Sequence, residues 1–117
     1  MIQLMVAPSR TLNDSSLNLV LQAISHPIRR SIIDQLSQTD VSVRDLSTTF
    51  SISKPALTKH LNVLEKARLI RRQPTGRTSY CHLTPEPLIE TLGWLKQYEH
   101  FWNTQLNALE HFLDQDN

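Results

Sequence analysis

The chain is poor in cysteine, in glycine and in long apolar runs, and each shortage removes a class of function. One cysteine, Cys81, among 117 residues forbids an internal disulfide, a zinc ribbon or a dithiol redox pair, so stability has to come from packing. With only two glycines, Gly76 and Gly93, no glycine-rich loop exists to cradle a phosphate. No nucleophile sits in a recognisable setting and no carboxylates form a tight pair, so nothing points to an enzyme or a cofactor. The apolar runs are brief and interleaved with polar residues, far below the roughly 20 residues that span a bilayer. The apolar start, Met1 to Pro8, lacks the basic opening and small-residue cleavage site of a signal peptide. A cytoplasmic protein with no membrane partner is the expectation. The length suits one domain, with residues 1–12 as a flexible N-terminal arm and 13–117 as a single folded unit.

The net charge of +1 conceals an uneven distribution. Between Arg29 and Arg77 ten lysines and arginines stand against four carboxylates, whereas from Thr78 to Asn117 a single lysine, Lys96, stands against six. A basic middle joined to an acidic tail points to a polyanion-binding segment attached to one with a different task. A merely solvated charged surface is the plainer alternative until the apolar pattern is added.

Asn13 or Asp14 can cap a first helix that sets Leu17, Val20, Leu21 and Ile24 on one stripe. Pro27 suits the first turn of a second helix, running to about Ser37, with Ile28, Ile32, Ile33 and Leu36 inward and Arg29 and Arg30 outward. Gln38 to Asp40 reads as a turn. Val43, Leu46 and Phe50 mark a short third helix that exits through Ser51 to Ser53. Ser53 then caps a fourth helix, whose buried stripe is Leu57, Leu61, Leu64 and Ala67 and whose other faces carry Lys54, Ala56, Thr58, Lys59 and Asn62. Leu69 to Pro74 and Ser79 to Thr84 read as strands flanking Thr75 to Thr78, a hairpin with Arg77 at its tip.

After Pro85 and Pro87 the pattern predicts one long helix to about Leu113, roughly 40 Å in length. Leu88, Leu92, Leu95, Trp102, Leu106, Leu109 and Leu113 follow steps of four and three along it, interrupted only at Glu99. A neighbouring stripe holds Trp94, Tyr98, Phe101 and Phe112. So wide an apolar face exceeds what a small domain can cover, and a partner helix is the economical explanation. Closure of the chain's own core is the alternative.

The fold class is therefore mainly α with a small β-hairpin, in the order helix, helix, helix, helix, strand, strand, helix. Two short helices joined by a tight turn, the second opening with small and basic side chains, describe a helix-turn-helix, and the hairpin makes it winged. An α-helix fits the major groove of duplex DNA, where lysine, threonine and asparagine can read base edges.

The stretches "LQAISHPIRRSIIDQLS", "VRDLSTTFSISKPALTKHLNVLEKARLI" and "RRQPTGRTSYCHLTP" carry a family likeness from about Leu17 to Leu83. The chain resembles the ArsR/SmtB group of winged-helix repressors. That resemblance implies a homodimer through the first and last helices, a recognition helix from Lys54 to Ala67 and a wing at Thr75 to Thr78. It implies repression more often than activation. Metal-sensing members carry cysteines in the third helix or acidic and histidine ligands on the last. Here Val41 to Asp45 holds no cysteine, and His100 and His111, with Asp114 beyond, sit too far along the last helix. No metal site is assigned.

The site expectations follow. Lys54, Ala56, Thr58 and Lys59 are assigned to base readout, and Ser53, His60, Arg71, Arg72 and Arg77 to phosphate. For His60 a packed structural role is the alternative. Leu17, Leu21, Trp94, Tyr98, Phe101, Trp102, Leu106, Leu109 and Phe112 are assigned to the dimer interface; Trp94, Tyr98, Phe101 and Trp102 have a second reading as the lining of a small-molecule pocket, and core packing is the commoner use of such a stripe. Cys81 is expected to be a structural thiol, with an intersubunit pair the remaining redox option. The function expected is a DNA-binding transcriptional regulator acting as a homodimer on a palindromic operator, tuned by an unidentified small-molecule or protein effector. The rival is a winged-helix module whose last helix binds another protein.

Overall fold

The computed structural model describes residues 13–115, so the expected arm at 1–12 and the last two residues lie outside it. The chain runs through α1 (Asp14–Ala23), α2 (Pro27–Leu36), β1 (Val41–Ser42), α3 (Val43–Phe50), α4 (Lys54–Lys66), β2 (Ile70–Thr75), β3 (Thr78–Leu83), α5 (Glu86–Lys96) and α6 (Glu99–Gln115). Side-chain caps start the first four helices. Asn13 Oδ1 accepts from the Ser16 amide, His26 Nδ1 from Ile28, Ser42 Oγ from Asp45 and Ser53 Oγ from Ala56, each satisfying a donor the helix leaves unpaired.

The core is built around α4. Leu57, Leu61 and Leu64 are fully buried, and Val20 and Ala23 of α1, Ile32 and Leu36 of α2, Leu46 of α3, Leu69 just before β2, and Ile70 and Cys81 of the sheet close on them. The stripe expected on α4 is the buried one. On α1 it is displaced: Val20 is buried, but the inward place expected of Leu21 is taken by Ala23, and Leu21 stands at the surface.

β2 and β3 form an antiparallel hairpin in the register Arg72 opposite Cys81 and Thr75 opposite Thr78. Gly76 occupies the first turn position at φ 65°, which a side chain would strain, while Arg77 keeps a negative φ, the pattern of a type II′ turn. The structure adds a strand that the sequence pattern does not show. β1, two residues long, pairs with β3 through Val41 opposite Cys81 and gives a sheet of order β1-β3-β2. Ser42 thus both ends a strand and caps α3.

The single long C-terminal helix expected from the stripe is two helices. At the junction the Gln97 and Tyr98 amides bond back three residues, to Trp94 and Leu95, so the last turn of α5 tightens. The physical reason lies in what each part touches. Leu88 packs against the core and Thr91 is buried, whereas no residue of α6 is buried. Periodicity reports the apolar face but not the change of neighbour halfway along it.

With so few glycines, two helix ends use other residues in the left-handed region: Ser51 after α3 (φ 53°) and Arg68 after α4 (φ 64°). At the second, the Leu69 amide reaches the Leu64 carbonyl and the Arg68 amide the Glu65 carbonyl, closing the helix in a Schellman turn whose left-handed residue is usually glycine. Replacing Arg68 with glycine should raise unfolding free energy by up to about 1 kcal/mol, since the side chain is strained there. Leu61→Ala should lower it by about 2–5 kcal/mol through the cavity it leaves. Urea unfolding of both variants checks the pair of signs.

Candidate nucleic-acid interface

α3, the turn Ser51 to Ser53 and α4 form the helix-turn-helix. Its geometry is fixed from both sides: Ser47 Oγ donates to the Ile52 carbonyl across the turn at 2.7 Å, and the leucine stripe holds the inner face of α4. At 3.6 residues per turn, burying Leu57, Leu61 and Leu64 sends Lys59 to nearly the opposite side. Lys54 and Lys59 are exposed, Ala56 and Thr58 partly so, and Ser53 exposed while its hydroxyl caps α4. The first two turns of α4 therefore present short side chains between two lysines.

Beside them the wing and α3 enclose a basic groove of about 250 Å³ that brings together Arg44, Lys54, Arg72 and Arg77 with Thr78 and Ser79. Arg77 stands at the hairpin tip and is exposed, as is Arg71 at the base of β2. Arg44 was missed by sequence reasoning as a site residue. The signal was present in the positive charge of the middle segment, but only the fold shows that its place in the first turn of α3 faces the wing.

Two predicted phosphate contacts are occupied internally. Arg72 Nη2 donates to Glu65 Oε1 at 2.6 Å and to Asn62 Oδ1 at 2.8 Å, tying the wing strand to α4. The hydrogen bond from Arg72 holds the Glu65 carboxyl below its usual range, and the same bond raises Arg72. His60 lies half-buried against α2, its ring 4.6 Å from that of His26. Arg29 Nη1 lies 3.1 Å from His60 Nδ1, and since a guanidinium only donates, that nitrogen carries the lone pair. Arg29 also donates from Nε to the Ala23 carbonyl at 2.8 Å and from Nη2 to that of Gln22 at 3.0 Å, so one side chain joins α1, α2 and α4.

The remaining candidates are scattered. Cys81 is fully buried in the sheet, and burial pushes its thiol up to about 11, which leaves it unreactive near neutrality. His100 and His111 are exposed on α6, His111 beside Gln115 at 3.0 Å. Among the described residues no cluster of three histidine, cysteine or acidic side chains is placed to hold a metal ion. Leu17, Trp94 and Tyr98 are half-buried, with Trp94 and Tyr98 edge to face at 5.4 Å. Leu21, Phe101, Trp102, Leu106, Leu109 and Phe112 are exposed, Trp102 and Leu106 by 60% and 61%.

The chain is similar in sequence and fold to known proteins. Residues 26–72 match the family described as "Bacterial regulatory protein, arsR family". The transcriptional repressor SdpR of Bacillus subtilis is 35% identical over 82 residues, covering 70% of this chain and 91% of the relative. Among solved structures, the ArsR family transcriptional regulator RHA00566 superposes with a TM-score of 0.72 at 30% identity, over 78% of this chain and 94% of its own. The homodimeric winged helix-turn-helix DNA-binding domain of Mb0332 from Mycobacterium bovis has the same fold, with a TM-score of 0.60 at 20% identity over 74% of this chain and 82% of its own.

The His26, Arg29 and His60 cluster has a pH signature. Burial, then His26, then Arg29 lower the His60 pKa in the folded chain, so the unfolded chain binds the extra proton. The contact is intact above the unfolded value of about 6.5 and is lost as pH falls below it. Melting temperature should therefore drop between pH 7 and pH 5, and His60→Gln should reduce that slope.

Proposed function

From the premise that the chain belongs to the arsR family of bacterial regulatory proteins, which are DNA-binding transcriptional regulators and not enzymes, we propose that it represses transcription as a homodimer on a palindromic operator. The observation that carries the reading is the exposed Lys54 to Lys59 surface of α4, aimed away from the leucine stripe and flanked by the basic groove under the wing. A helix so presented fits the major groove, and two copies would enter successive grooves with half-sites about 34 Å or a multiple apart.

In this reading Lys54, Ala56, Thr58 and Lys59 meet base edges, where lysine finds the acceptors of guanine. Ser53, Arg44, Arg71 and Arg77 meet phosphate, which sets register and affinity but not sequence. Arg72 and His60, each holding a partner inside the protein, act by fixing α4 against the wing and against α2. The second copy is needed by the apolar surface. Phe101, Trp102, Leu106, Leu109 and Phe112 are all more than half exposed along α6, and Leu21 stands exposed on α1, apolar surface of the kind that marks an interaction site. Pairing of α1, α5 and α6 with their symmetry mates covers it and spaces the two recognition helices. A neighbour of the same fold is a homodimer, which supports that assembly.

Two experiments test the reading. Lys59→Ala should weaken operator binding by about 1–3 kcal/mol and flatten the preference over random duplex, while Arg77→Ala should weaken both duplexes alike and reduce the salt slope by about one unit. The reverse assignment would make the wing the reader. Leu106→Glu, which leaves the core untouched, should convert a dimer into a folded monomer by light scattering; a wild-type chain that is already monomeric would favour docking of α6 on a different protein.

A further inference from the structure

At the C-terminal end of α4, the structure contains a half-enclosed cavity of about 500 Å³ bounded by α1, that helix end, the base of β2 and the start of α5. Its size is that of pockets that take small organic ligands, roughly 300–1,000 Å³. The inner wall is apolar: Leu19, Val20, Ala67 and Ile70. The rim is basic, from Lys66, Arg68 and Arg71. None of these three cations has a carboxylate partner among the described residues.

The acidic residues at the rim do not cancel them. Glu65 is paired with Arg72, which leaves two carboxylates, Glu86 and Glu90, against three cations. An apolar pocket with a surplus of positive charge at its mouth suits a molecule with an apolar body and an anionic end. The backbone helps to set the rim. Arg68 occupies the left-handed turn position where glycine is the usual residue, and it puts a guanidinium where glycine would leave none.

We propose that this cavity binds a small amphipathic carboxylate, and that its occupancy weakens DNA binding. The second half rests on the function proposed above, and it has a direct physical route. Arg71 lies both on the rim and among the residues assigned to DNA phosphate, so an anion held by Arg71 competes with the duplex for it. The cavity also touches the Glu65 end of the Arg72 tie, through which α4 is held to the wing.

The test uses the full chain without DNA first. Calorimetric titration with octanoate, octanol and inorganic phosphate separates the apolar body from the anionic end. Octanoate is expected to bind one site per chain at least tenfold more tightly than octanol, and phosphate alone not to saturate. Amide shifts in the NMR spectrum should cluster at Leu19, Ala67, Ile70 and Glu90. Arg68→Gly, a substitution the left-handed backbone favours, should keep the fold and bring octanoate down to the affinity of octanol. Equal affinities for octanoate and octanol in the wild type, or shifts confined to the apolar face of α6, would overturn the site.

The DNA arm is separate. Saturating octanoate should weaken duplex binding at least threefold in the wild type and leave Arg68→Gly unaffected. Carboxylate binding at the cavity with no change in DNA affinity would overturn the regulatory half, and a chain that binds octanoate but no duplex at all would instead refute the function on which that half rests.

Discussion

Burial of one leucine stripe organises the molecule. Leu57, Leu61 and Leu64 make α4 the common wall of nearly every contact in the core, since α1, α2, α3 and β2 all pack on it. A helix held so completely on one side has only its outer face to offer, and that face is where the two lysines stand. The same constraint aligns the wing: Arg72 can reach Glu65 and Asn62 only because β2 leaves α4 through the tight closure at Arg68. Rigidity of the exposed surface is thus a by-product of core packing, and a binding constellation carried on a rigid element is held more closely than one on a loop.

Much of this arrangement was legible in the chain. Caps at Asn13 and Ser53, the α4 stripe and the Gly76 hairpin are local signals, each confined to a few neighbouring residues, and local chemistry determines them. What escaped depends on residues far apart. β1 exists because Val41 and Ser42 meet Cys81 and Tyr80, and two residues carry no periodicity of their own. The engagement of His60 by Arg29 spans 31 positions, so the sequence left a phosphate contact and a packed role both open where the structure shows the packed one. The broken last helix is the converse case: its pattern is continuous, but one half packs on the core and the other buries no residue. Arg44 needed the fold to place it beside Arg77.

The shortage of glycine has a structural cost at two helix ends. Ser51 and Arg68 hold a backbone conformation that side chains disfavour, and both stand at the boundaries of functional elements, the first at the helix-turn-helix bend and the second where α4 hands the chain to the wing. The closures there are made by backbone hydrogen bonds and packing, so side-chain identity at these two positions is available for tasks other than turning the chain.

Because α6 contributes no buried residue, its sequence is answerable only to whatever it pairs with, and the domain beneath can tolerate changes in it. A cell that holds several regulators of this architecture faces the hazard of mixed assemblies, in which one half reads one operator and the other half another. A terminal helix uncoupled from the core offers an address that can diverge quickly between duplicated copies while the reading head stays unchanged. If α6 pairs as proposed, insulation of one regulatory circuit from its siblings would reside in Trp102, Leu106 and Leu109 rather than in the exposed face of α4.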